Sequence, residues 1–263
     1  MQYSVGYIIR FALAVCLVCA LLVASAAVSL KPLQEANAVL DRQKKVLTVA
    51  GLIEEGQSIS SEEAARLFEQ NVRPKVIDRS TGELAPDIAP AEFDQQAAMS
   101  DPERSVPAPK NAAQVRRLPE HALVFDVVQD GEPQAMIFPI EGKGLWSTLY
   151  GYIALAPDAN TVVGITFYEH GETPGLGGEV DNPRWKSLWP GRKVFNERGN
   201  PVIRVKKGSA GPPAKDPHQV DGLSGATITS RGVTALVQFW LGENGYGPYL
   251  TSYRAAHGAR AEI

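Results

Sequence analysis

Residues 122–170 read ALVFDVV (Ala122 to Val128), Gln129-Asp130-Gly131-Glu132, PQAMIFPI (Pro133 to Ile140), and then STLYGYIALA (Ser147 to Ala156), Pro157-Asp158-Ala159-Asn160, TVVGITFYEH (Thr161 to His170). Runs rich in Val, Ile, Tyr and Phe, broken by Asp-Gly and Pro-Asp turn residues, predict two successive hairpins and so an antiparallel sheet. Farther on, Val233, Leu236, Val237, Trp240 and Leu241 recur at helical spacing, and an amphipathic helix is expected to pack on that sheet. The expected body is therefore α+β, an antiparallel sheet with packed helices over residues 121–254, followed by a tail over 255–263. Between sheet and helix come the glycine-rich loop EHGETPGLGGEV (Glu169 to Val180), a short helix around Asn182 to Trp189, and a further hairpin of KVFN and VIRVKK about Glu197-Arg198-Gly199-Asn200. No internal repeat is visible.

Upstream, Phe11 to Leu30 (FALAVCLVCALLVASAAVSL) is a run of 20 residues without a charge. At about 1.5 Å per residue it spans a hydrocarbon core of roughly 30 Å, which predicts one transmembrane helix behind a short flank over residues 1–10. A cleaved signal peptide is the alternative, since Ala24-Ser25-Ala26 has the form of a small-residue cleavage site. Cys16 and Cys19 lie inside this run and read as small apolar residues rather than as a redox pair. Arg10 precedes the span while Lys31, Arg42, Lys44 and Lys45 follow it, a count that by itself favours a cytoplasmic body. Residues 31–120 read as a stalk helix and an irregular helical excursion. Pro32 to Leu52 is rich in helix formers with Gly51 as a stop, and Ser60-x-x-Glu63 is a capping box before AARLFEQ. Pro74 to Pro119 shifts to Pro, Ala, Asp and Glu without period.

Composition narrows the function. The chain has 263 residues of which 44% are hydrophobic, which excludes wholesale disorder. With 26 Lys plus Arg against 29 Asp plus Glu and no basic block, nothing marks a nucleic-acid partner. The 24 Gly and 19 Pro suit a turn-rich β domain. Two cysteines and four scattered histidines do not make up the usual ligand set of a zinc or iron–sulfur centre, so no metal site is expected.

The chemistry is concentrated in Asp221-Gly222-Leu223-Ser224-Gly225-Ala226-Thr227-Ile228-Thr229-Ser230, which runs into the amphipathic helix. Small residues let backbone amides approach a ligand, and a helix start offers free N–H groups and positive dipole, a combination suited to phosphate. Ordinary N-capping by one of these hydroxyls is the plainer alternative. The loop Glu172-Thr173-Pro174-Gly175-Leu176-Gly177 allows close backbone contact and presents Leu176 to a flat ring, or is an ordinary turn. Lys143 and Trp146 are a solvated lysine and a core tryptophan unless a ligand lies beside them; Trp185, Trp189 and Trp240 read as core, and His170 as structural.

The pattern D-G-x-S-G-A-T-x-T resembles the flavinylation motif of the FMN-binding domain family shared by sodium-pumping NADH:quinone oxidoreductases and their Rnf relatives. Gly142-Lys143-Gly144-Leu145-Trp146 and Gly171-Glu172-Thr173-Pro174-Gly175-Leu176-Gly177-Gly178 resemble two further segments of the NqrC-like branch of that family, which belongs to the sodium pump. The resemblance covers nearly the whole chain. It implies a flavoprotein in which a flavin transferase attaches FMN covalently, through a phosphothreonine ester, to Thr227, or to Thr229 as second choice. It also implies a cofactor bed built from Leu223, Ser224, Gly225, Ala226, Lys143, Gly144, Leu145, Trp146, Glu172, Thr173, Gly175, Leu176 and Gly177. The implied role is an electron-transfer subunit of a multisubunit translocase that couples electron flow from NADH to ubiquinone to sodium export. The same resemblance puts the FMN domain on the periplasmic side of a bacterial inner membrane, against the charge count. An Rnf-type FMN subunit and a membrane-anchored, non-redox assembly protein are the alternatives. No G-x-G-x-x-G opens a βαβ unit, so this chain is not expected to bind NADH itself.

Overall fold

The structure is a computed structural model that describes residues 4–257. The chain divides into two compact units between Arg42 and Gln43. Helix α1 runs without a break over Val5–Val49, with Pro32 inside it, so the expected span and stalk are one helix. It is long and apolar enough to cross a membrane. It stops where Gly51 takes a left-handed φ of +74°, with the Gly51 and Leu52 amides donating back to Thr48 and Leu47.

Within the second unit, helix α2 (Ser61–Asn71) starts as the capping box predicts, the Ser60 hydroxyl accepting from the Glu63 amide at 3.1 Å. The region from Pro74 onward departs from expectation. Strand β1 (Val72–Asp78) includes Pro74, and a short helix α3 (Gln95–Ser100) and a small ribbon of β2 (Ser105–Pro107) and β3 (Arg117–Pro119) follow. The excursion is ordered because β1 pairs with the hairpin strand β4 (His121–Gln129) and forms the edge of the main sheet, where a proline is tolerated for want of a second neighbour.

The two predicted hairpins are present as β4 with β5 (Glu132–Lys143) and β6 (Thr148–Leu155) with β7 (Val162–Glu169), giving an antiparallel sheet in the order β1-β4-β5-β6-β7. Asp130 and Gly131 both have positive φ, 53° and 85°, the two-residue turn that matches strand twist. Helix α5 (Thr227–Leu241) lies on one face of this sheet, its Val233, Leu236, Val237 and Trp240 buried with Met136, Phe138, Ile140, Leu149 and Ile153 in one core. The fold is α+β, as expected. On the opposite face Phe68 of α2 meets Phe125, and Phe125 meets Tyr152, edge to face.

The approach of α5 to β5 is close enough to dictate composition. A Cβ on Gly142 would fall 2.6 Å from Leu236 Cβ, and one on Gly232 would fall 2.3 Å from the Lys143 carbonyl oxygen. The Trp240 indole donates to the Glu141 carbonyl at 2.7 Å. These contacts bring the β5–β6 loop against the first turns of α5.

Two other expectations need correction. The predicted hairpin of KVFN and VIRVKK reduces to a single bridge between Phe195 and Pro201; Arg204–Val205 (β8) instead pairs in parallel with Gln219–Val220 (β9). Pro201 has no N–H for a second ladder bond, and the Asn196 side chain takes the Arg198 and Asn200 amides. The short helix expected around Asn182 to Trp189 is present as α4 (Pro183–Lys186), with Asn182 as its N-cap, and a 3₁₀ turn, Gly177–Asp181, precedes it. A further helix, α6 (Gly247–His257), occupies part of the supposed tail because Tyr249 and Leu250 complete the core; residues 258–263, and residues 1–3 of the N-terminal flank, lie outside the described residues.

Candidate functional site

Three loops converge at the end of the sheet next to the start of α5: residues 143–147 between β5 and β6, residues 170–176 after β7, and residues 221–226. Glu172 joins them. Its side chain is buried, and it accepts hydrogen bonds from the amides of Leu145 (3.2 Å), Trp146 (2.9 Å) and Ser147 (3.2 Å) and from the hydroxyl of Thr229 (2.6 Å). Burial works to raise its pKa, but the bonds from Thr229, Trp146, Ser147 and Leu145 outweigh it and hold the carboxyl below the usual carboxylate range. The His170 Nδ1 accepts from the Glu172 amide at 3.2 Å, which leaves Nε2 as the donor to Asp181 at 2.7 Å. His170 is thus a brace of this loop.

The acceptor segment is arranged differently from a capped helix start. Ala226 is the N-cap of α5 and contributes no side-chain bond, and the Ser230 hydroxyl turns back to accept from the Leu223 amide at 3.1 Å. Thr229 is fully buried on Glu172, whereas Thr227 and Ser224 are exposed. Leu223 and Ala226 are buried beneath them. Gly225 has φ +70°, and a Cβ there would fall 2.9 Å from Leu176 Cδ2. Leu176 therefore lies against the acceptor loop.

Four large apolar side chains of these loops and of the first turn of α5 are exposed. Leu145 is 41% exposed, Trp146 67%, Leu176 44% and Ile228 53%. Burying such side chains is worth about 25 cal/mol per Å², so their exposure leaves apolar area open to a ligand or partner. Thr173 and Gly175 shape the turn that carries Leu176: the Thr173 carbonyl accepts from the Leu176 and Gly178 amides, and Gly175 sits at φ +75°. Gly144 and Gly177 face the Glu172 carboxylate.

The Lys143 ammonium donates to the Trp146 carbonyl at 2.9 Å and is not among the groups that line the cavity at Thr227. That cavity, of about 470 Å³, is lined instead by Lys206, Lys207 and Arg231 along with Ser224. Sequence reasoning passed over these cations and Ile228, since Lys206 and Lys207 read as part of a strand and Arg231 as helix surface. Trp185, Trp189 and Trp240 are buried core residues as expected, and the Trp185 indole donates to the Asp221 carbonyl at 2.9 Å to anchor the acceptor loop.

An uncapped helix start, an exposed threonine on it and an apolar shelf alongside define a domain built to hold a phosphate-bearing flat ring. Residues 144–242 match the family model described as FMN-binding domain. The chain is 45% identical to the NqrC protein of the Na(+)-translocating NADH-quinone reductase of Pseudomonas aeruginosa, over 96% of this chain and 97% of that protein. It is also 45% identical to the corresponding protein of Vibrio alginolyticus, over 90% and 91% of the two chains. Among solved structures it is similar to that of Shewanella oneidensis NqrC, with a TM-score of 0.77 and 38% identity over 84% of this chain and 99% of that one. A second, from Parabacteroides distasonis, gives a TM-score of 0.65 at 29% identity over 84% of this chain and 97% of that one. The chain belongs to the NqrC family of Na⁺-translocating NADH-quinone reductases.

Proposed function

We propose that the chain is an electron-transfer subunit that carries FMN covalently on Thr227, and that it relays electrons inside a sodium-exporting NADH:ubiquinone oxidoreductase. The observation that carries this reading is the pair of threonines at the start of α5: Thr227 offers an exposed hydroxyl, while that of Thr229 is buried and already given to Glu172. The residues fit the cofactor. The uncapped first turn of α5 suits the phosphate, with Lys206, Lys207 and Arg231 nearby to balance its charge. Leu145, Trp146 and Leu176 form the bed for the ring, and Gly225 allows Leu176 to approach.

Bound FMN supplies one-electron and two-electron redox chemistry; the protein holds the ring, keeps one face covered and tunes its electrostatics. On this reading NADH and quinone are handled by other subunits of the complex, and a flavin transferase modifies this chain during maturation. Helix α1 anchors it in a bacterial inner membrane, with the FMN domain on the periplasmic side. The test is an in-gel one: the full chain, denatured and run on a gel, fluoresces under ultraviolet light and has the intact mass of protein plus FMN. A dark band at the unmodified mass from flavin-replete, transferase-containing cells overturns the reading.

A further inference from the structure

Glu172 holds the site together from within. Its carboxylate is 5% exposed, with Oε1 accepting from the Trp146 and Ser147 amides and Oε2 from the Leu145 amide and the Thr229 hydroxyl. These donors come from a loop 25 to 27 positions upstream and from a helix 57 positions downstream. We propose that Glu172 is a positioning residue of the flavin site, a buried anion that fixes the spacing between Thr227 on α5 and the Leu145–Trp146 shelf while touching neither phosphate nor ring. This rests on the FMN reading above.

The chemistry of the donor set argues for a charge at this point. Three successive backbone amides turned to one carboxylate form an anion nest, and the Thr229 hydroxyl adds a fourth donor. Amides and a hydroxyl, rather than a cation, therefore balance the buried carboxylate. A glutamine would present one acceptor oxygen and an NH₂ group that opposes the amides. The packing is equally specific: a Cβ on Gly144 would lie 2.6 Å from Glu172 Oε1, and one on Gly177 2.6 Å from Oε2 and 2.7 Å from the Thr229 hydroxyl. The loops close on the carboxylate with no room for a methyl group. An ordinary turn needs none of this. Thr229 lies two positions after Thr227 on the same helix, so the Thr229–Glu172 bond transmits the position of the acceptor to the shelf. A fixed negative charge behind the shelf also disfavours adding electrons to a ring lying on it.

The test uses the full chain co-expressed with the flavin transferase. Glu172→Gln is expected to keep covalent flavin, to lower the fluorescence anisotropy of that flavin and to raise its midpoint potential. Thr229→Val, which retains the charge, is expected to lower the anisotropy with a smaller change in potential, and Thr229→Ser to restore the parent on both counts. A second readout needs no flavin. In the Thr227→Ala chain, amide exchange at Leu145, Trp146 and Ser147 is expected to become at least about tenfold faster when Glu172→Gln is added. Parent-like anisotropy and potential in both Glu172→Gln and Thr229→Val, with only a lower melting temperature, would reduce Glu172 to a general structural role and overturn the proposal. So would unchanged exchange. A parent chain without flavin would instead overturn the FMN reading, and the exchange experiment would still decide whether Glu172 holds the loops.

Discussion

Leu176 rests on Gly225: a Cβ at that glycine would fall 2.9 Å from Leu176 Cδ2, so the 170–176 and 221–226 loops are in van der Waals contact at a point where a methyl group would push the leucine aside. Gly225 also has φ +70°, where a side chain adds strain of roughly 1 kcal/mol or more. Gly225→Ala is expected to displace Leu176 and to reduce the fraction of chain carrying covalent flavin, measured by intact mass. A fully modified Gly225→Ala protein would show that this contact does not shape the site.

The two threonines separate cleanly by burial. Thr227→Ala removes an exposed hydroxyl that makes no cap bond, so the fluorescent band is expected to vanish while stability stays within about 0.5 kcal/mol of the parent. Thr229→Ala strips a donor from a buried carboxylate, and a loss of about 1 to 3 kcal/mol is expected, with the band still present. Denaturant melts of the two variants beside their gels check both halves. A dark Thr229→Ala with a bright Thr227→Ala would move the acceptor to Thr229.

Glu141 provides a pH-dependent signature away from the acceptor. It lines a polar cavity of about 640 Å³ with Lys143, Tyr150 and Glu169, and burial pushes its pKa up from 4.5 to about 7. Below the unfolded value both states hold the proton; as pH rises toward 7 the unfolded chain releases it first, and the fold is progressively destabilised. Glu141→Gln is therefore expected to match the parent near pH 4 and to be more stable by about 1 to 3 kcal/mol at pH 8. Equal stability at pH 8 would mean that the carboxyl is solvated.

Much of this was legible in the chain because the signals are local. The strands of residues 121–169 declare themselves by β-branched and aromatic runs, and Asp130-Gly131 by turn chemistry. Strand β1 was not legible, because Pro74 argues against a strand unless its edge position is known, and that position is set by pairing with β4 some 50 residues away. In the same way the D-G-x-S-G-A-T-x-T pattern points to hydroxyls and a helix start, yet no periodicity says which threonine faces inward. That is decided by Glu172, which reaches Thr229 through the fold. Lys143 and Glu172 are both assigned to the ligand by the resemblance; the structure turns the first toward the Trp146 carbonyl and the second inward.

The orientation of α1 is a separate prediction. The basic residues after the apolar run favour a cytoplasmic body, but Glu35 and Asp41 are mixed among them and large domains cross irrespective of loop charge. Ser252 is exposed on α6, so Ser252→Cys gives a label site on the body. An impermeant maleimide is expected to label it in intact spheroplasts. Labelling only after lysis would put the body on the cytoplasmic side.

The electrostatics of the acceptor can be tested by a sign change at Ser224. This residue is exposed two positions before the Ala226 N-cap, where the free amides of α5 begin. A carboxylate there satisfies those amides and the helix dipole, worth about 0.3 to 1 kcal/mol to the flavin-free fold. It also repels the phosphate that the same amides are proposed to hold. Ser224→Asp is therefore expected to melt at or above the temperature of the flavin-free parent yet to carry less covalent flavin, and Ser224→Lys to show the opposite pair of effects. The opposition of the two readouts is what identifies an anion at this helix start. If both substitutions lowered flavin content and stability together, the effect would be a packing defect, and the phosphate would lie elsewhere.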